Sequence, residues 1–146
     1  MALYGCFCPE HDLVTALPPE ICCRSDGRAA PNAVWDLFAL TTEGAARLCM
    51  TALRCRTLLV PEERYSSAWQ VKQLVSYGLS SRSTLTLSSM GEHNVLCVQR
   101  RIYTCGGTVA EEGERFLPAA WNRWTPMEQL LLAGTWLLTK NDLPNL

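Results

Sequence analysis

The stretch from Thr125 to Lys140, TPMEQLLLAGTWLLTK, constrains this chain more than any other. It predicts a helix near 126–139. Thr125 can cap the first turn, Pro126 takes the first helical position, where a missing N–H costs nothing, and Glu128 can reach back to complete a capping box. Apolar side chains then fall on nearly every side, with Leu130, Leu131, Leu132, Ala133, Trp136, Leu137 and Leu138, where a surface helix would show one stripe. Such a helix must be covered all round, by a core or by a partner. At about 1.5 Å per residue it is about 21 Å long, short of the roughly twenty apolar residues that a bilayer requires. No membrane role is expected.

The core that covers it must come from a chain of 146 residues, enough for a single domain over 1–146. Apolar residues make up 48% and charged residues 18%, so the chain reads as globular. The net charge is −1, from 13 basic and 14 acidic side chains, which gives no global attraction to phosphate. Nucleic acid is therefore not the favoured partner.

Cysteine is over-represented, with eight residues. The N-terminus MALYGCFCPEHD has no basic segment, no apolar run and no small-residue cleavage site. An intracellular chain, cytoplasmic or nuclear, is expected on that ground, with its cysteines as buried hydrophobes, metal ligands or reactive thiols. A disulfide framework remains the alternative for an exported form.

Residues 1–31 hold half the cysteines and several prolines, and they read as an irregular segment ahead of an α+β core over 32–146. Cys6, Cys8, His11 and Cys22 offer one structural zinc, the only cofactor the sequence points to, because zinc takes four ligands from thiolate and imidazole and can close a loop. The spacing departs from the usual two to four residues between paired ligands. Successive side chains of extended chain also point oppositely, so only one of Cys22 and Cys23 can face such a site. The competing reading is of ordinary half-buried thiols.

From Asn32 to Leu40 the pattern reads as a short helical turn or two. A helix near 42–53 carries Ala45, Leu48, Cys49, Ala52 and Leu53, interrupted by Gly44. A short buried strand near 57–60 ends at Pro61, and a helix near 66–77 shows Ala68, Val71, Leu74 and Val75 on one face, with Gly78 as its stop. Strands follow near 83–88 and 95–104, paired antiparallel, and Thr108 to Ala110 can begin a third. The expected fold is thus α+β, a small, mostly antiparallel sheet packed by helices. One parallel crossover around the 57–60 strand is the alternative.

Catalytic patterns are absent: no G-x-S-x-G, no phosphate loop and no H-E-x-x-H. A thiol enzyme would need His11 or His93 beside a cysteine, with Cys97 and Cys105 as the candidates. The favoured reading is a non-enzymatic interaction or adaptor protein that binds another protein through Arg100, Arg101, Trp121, Arg123 and Trp124. Tryptophan and arginine dominate binding hot spots, although the same tryptophans can serve as lids over a core. A homo-oligomer fits the same surface. Small, cysteine-rich, motif-poor chains of this sort resemble the accessory proteins by which viruses engage host factors. A zinc-stapled binding module and a cysteine-dependent hydrolase or redox protein are the two alternatives.

Overall fold

A computed structural model describes residues 2–7, 12–24, 34–48, 53–62, 64 and 69–144. Those residues form strands β1 (Tyr4–Phe7), β2 (Ile21–Arg24) and β3 (Trp35–Leu40), helix α1 (Thr42–Leu48), and strands β4 (Arg54–Pro61), β5 (Gln70–Tyr77), β6 (Leu85–Ser89) and β7 (Val95–Val98). Strands β8 (Ile102–Tyr103), β9 (Val109–Ala110) and β10 (Gly113–Phe116) and helix α2 (Pro126–Lys140) complete them, with 3-10 turns at Leu13–Ala16 and Ala119–Arg123.

Eight strands make one sheet in the order β2-β1-β3-β4-β5-β6-β7-β10. From β2 to β6 every neighbouring pair is parallel; only β6–β7 and β7–β10 are antiparallel. The small, mostly antiparallel α+β sheet expected from the sequence is therefore wrong, and the architecture is α/β-like.

Three segments account for the difference. Residues 66–77, expected as a helix, contain β5, in which the less exposed side chains Val71, Gln73, Val75 and Tyr77 recur at period two. Leu74, assigned to the helical face, is 43% exposed. Residues 35–40 form β3 instead of a helical turn, because a central parallel strand is buried on both faces and shows no alternation. The N-terminal segment, expected to be irregular, supplies β1 and β2, and β1 lies inside the sheet between β2 and β3.

Smaller corrections follow the same logic. The strand near 57–60 extends over Arg54–Pro61, and that near 83–88 lies at Leu85–Ser89. The strand expected over 95–104 breaks after Val98, and its end pairs with β9 in a separate two-stranded sheet. The helix near 42–53 is described over Thr42–Leu48; Cys49 and Ala52 lie outside the described residues, and Leu53 precedes β4 directly. The antiparallel partnership of β6 and β7 matches expectation.

Adjacent residues of β3 sort the core into two layers. Leu37 and Ala39 join one cluster with Leu59, Tyr77, Leu85 and the α2 leucines, while Phe38 and Leu40 join another with Trp35, Leu58, Trp69 and Ala45 of α1. Successive strand side chains point to opposite faces, so α2 covers one face of the sheet and α1 the other. Thr125 and Glu128 form the expected capping box, and nine residues of α2 are buried. The Trp136 indole N–H donates to the Ala16 carbonyl at 2.7 Å, and the Cys105 N–H donates to the Leu138 carbonyl at 2.8 Å, which closes the flanks of the helix. Among the described residues no helix is long and apolar enough to cross a membrane.

Candidate interaction surface

Strand β10 is a terminal strand of the sheet, with β7 on its inner side. The Leu117 N–H donates to the Asn94 carbonyl at 2.8 Å, in the same register that pairs Arg115 with Leu96 and Gly113 with Val98. In an antiparallel ladder the bonded residues alternate, so Glu114 and Phe116 turn their N–H and C=O groups outward. Backbone groups that turn outward, without a partner among the described residues, are what a sheet uses to add another strand. Phe116 is 74% exposed, the barest large apolar side chain among the described residues. The His93 ring packs edge-on against it, centroids 6.1 Å apart, and Met90 in the same turn is 63% exposed.

The turn around 90–94 ties this edge to the segment ahead of α2. Asn122 Nδ2 donates to the Glu92 carbonyl at 2.7 Å, and Asn94 Nδ2 donates to Gln129 Oε1 at 2.8 Å. Arg123 and Trp124 follow Asn122 at once. The Arg123 guanidinium lies 4.7 Å from the Trp124 ring centre, and its Nη2 is 3.7 Å from the Asp12 carboxylate. Trp124 is half-buried against the core, and Arg123 is exposed.

The other residues singled out by the sequence fall differently. Trp121 is wholly buried, and its indole Nε1 has no hydrogen-bond partner among the described residues, so it belongs to the core and offers no surface. Arg101 stands at the opposite end of β10, with Nε 3.5 Å from the Glu111 carboxylate, and Arg115 Nη2 donates to the Glu111 carbonyl. Arg100 points away, donating through Nη1 to the Arg82 carbonyl at 2.9 Å. Arg101 thus reaches the residues leading into β10, Arg123 is turned to Asp12 with Trp124 beneath it, and Arg100 is turned to Arg82. Phe116 and Met90, which no sequence pattern singles out, and His93, which the sequence offers only as a catalytic base, make up the margin. The available signal was a four-residue strand rich in charge, GERF, the composition by which proteins blunt an exposed edge.

Of the zinc set Cys6, Cys8, His11 and Cys22, only Cys6 and Cys22 lie among the described residues. Gly5 pairs with Cys22 and Cys6 with Cys23, so Cys6 shares a face with Cys23 while Cys22 points to the other side. Cys8 and His11 lie outside the described residues. Among the described residues no group of three or more histidine, cysteine or acidic side chains is placed to hold a metal ion.

Of the candidate thiols, Cys105 is half-buried. Burial pushes the Cys105 thiol up to about 11, aided by the Asp36 carboxylate and opposed by Arg56. His93 makes its ring contact with Phe116, while Cys105 Sγ lies 3.9 Å from the Asp36 carbonyl oxygen. A thiolate nucleophile is disfavoured there at neutral pH.

A depression of about 410 Å³ opens at the carboxyl ends of β3 and β5, between Thr41, Glu43, Tyr77 and the start of α2. Ligands of open α/β sheets bind at such ends. Here the Thr125 hydroxyl and Glu128 carboxylate already occupy the helix terminus, and the Tyr77 hydroxyl donates to the Leu40 carbonyl at 2.7 Å. No known protein family, curated protein or solved structure matches this chain.

Proposed function

We propose that the chain is a non-enzymatic interaction protein, an adaptor that takes an extended segment of another protein onto the β10 edge. One observation supports the reading: outward backbone groups at Glu114 and Phe116 coincide with a bare Phe116 ring that has His93 at its edge. Main-chain bonds would supply affinity, and the aromatic and arginine anchors selectivity. A viral accessory protein engaging a host factor is one protein of this kind.

A foreign segment fits this edge better than a second copy does. Antiparallel pairing must match outward residues with outward residues. A two-fold centred on Glu114 sets Glu114 against Glu114, and one centred on Arg115 sets arginine against arginine, and like charges directly opposite are destabilising. A two-fold centred on Phe116 brings Pro118, which has no N–H, opposite Glu114. The acidic Glu111, Glu112 and Glu114 favour a partner segment with basic residues.

Affinity capture with the full chain tests the reading through three variants. Glu114→Pro removes an outward N–H without touching the β7 ladder, Phe116→Ser removes the ring, and Arg123→Ala with Trp124→Ala removes the anchors. Each should weaken binding to the same captured protein by about thirtyfold or more, the effect of a hot-spot loss. Unchanged affinity in all three folded variants overturns the proposal.

A further inference from the structure

At the amino ends of β3, β4 and β5 three charged residues stand abreast. Trp35 pairs with Cys55 and Cys55 with Val71, and two residues on Leu37 pairs with Thr57 and Thr57 with Gln73. Asp36, Arg56 and Lys72 therefore occupy one row across the three strands. They line a depression of about 300 Å³, together with Thr57, Thr104 and Cys105.

The wall of this depression is fixed. Gln73 Nε2 donates to the Tyr103 carbonyl and Gln73 Oε1 accepts the Tyr103 N–H, both at 2.8 Å, which clamps β8 onto β5. The same Nε2 donates to Thr57 Oγ1 at 3.1 Å, so the Thr57 hydroxyl proton is left to point elsewhere. Thr57 is 6% exposed. The Asp36 carboxylate is engaged, accepting the Leu3 N–H at 2.8 Å.

Among the described residues Arg56 and Lys72 have no such engagement. Neither takes part in any of the four ion pairs among the described residues, and both side chains are exposed. Like charges on neighbouring strands repel, and two cations face one carboxylate here. The row is electrostatically short of an anion. A guanidinium presents a planar fork that matches the oxygens of carboxylate or phosphate, and an ammonium adds a point charge. The Cys105 thiol, which burial keeps protonated, adds no negative charge to the site.

We propose that this depression binds a small ligand bearing an oxyanion, a phosphate or carboxylate group, held by Arg56 and Lys72 with the Thr57 hydroxyl as a third donor. Its volume lies at the lower end for ligand sites, which suits a compound of low mass and excludes a polymer from the interior. The site lies apart from the β10 margin, so it stands or falls independently of the adaptor reading.

The test is a titration of the ¹⁵N-labelled full chain with inorganic phosphate and, separately, with acetate, at constant ionic strength. Saturable amide shifts confined to residues 56–57, 72–73 and 103–107 are expected with at least one of the two anions, and which anion saturates identifies the class. Arg56→Gln with Lys72→Gln should weaken binding by about tenfold or more, and Asp36→Asn, which keeps the acceptor for Leu3, should strengthen it. Linear, unsaturating shifts with both anions, or equal affinity in the glutamine double variant, overturn the proposal.

Discussion

A methyl group added at Gly44 would meet the Phe7 ring at 2.6 Å and the Phe7 carbonyl oxygen at 2.7 Å. Glycine there lets α1 approach the end of β1. Alanine ordinarily favours a helix by about 1 kcal/mol over glycine. At this position the clash is with backbone and prevails, so Gly44→Ala should destabilise the chain by about 1–3 kcal/mol in chemical denaturation. The buried thiols give a second prediction at this scale. Burial pushes Cys55 up to about 12 and Cys105 up to about 11. The folded chain holds these protons more tightly than the unfolded chain, so their contribution to stability is complete below the unfolded thiol range, about 8.5, and falls as pH rises through the folded values. Denaturation midpoints should decline between about pH 9 and pH 11, and Cys55→Val should flatten the decline. In alkylation at neutral pH the exposed Cys22 should react well before Cys55.

Among the elements, α2 was the most legible in sequence, because Thr125, Pro126 and Glu128 define its start by local chemistry alone. Thr125→Ala should cost about 1 kcal/mol, read as a fall in thermal midpoint. Strand β5 was illegible for the opposite reason. Val71, Leu74 and Val75 satisfy a helical face, and Val71, Gln73, Val75 and Tyr77 satisfy a strand; the choice is made by β4, which pairs with β5 along its whole length. The short apolar run of β3 carries the same ambiguity, because burial on both faces erases alternation. The candidate surface was partly legible. Arg123 and Trp124 announced themselves by type, whereas the exposure of Phe116 depends on β10 ending the sheet, which no local pattern states.

At the scale of the molecule, one sheet organises everything else. Its mostly parallel body places α2 and α1 on opposite faces, and its antiparallel end leaves β10 without an outer neighbour among the described residues. The cysteines then sort by position: Cys6 and Cys55 are core, and Cys22 is exposed on the strand at the other end of the sheet. The two sites proposed lie on different parts of this body, the anion site at the amino ends of β3 to β5 and the partner surface along β10. The central claim is that β10 receives the partner. Amide hydrogen exchange of the chain, alone and in complex with the protein it captures, tests it most directly. Rapid exchange at Glu114 and Phe116 in the free chain and strong protection of both in the complex are expected. Protection that falls on β2 or elsewhere, with Glu114 and Phe116 exchanging as before, would contradict it.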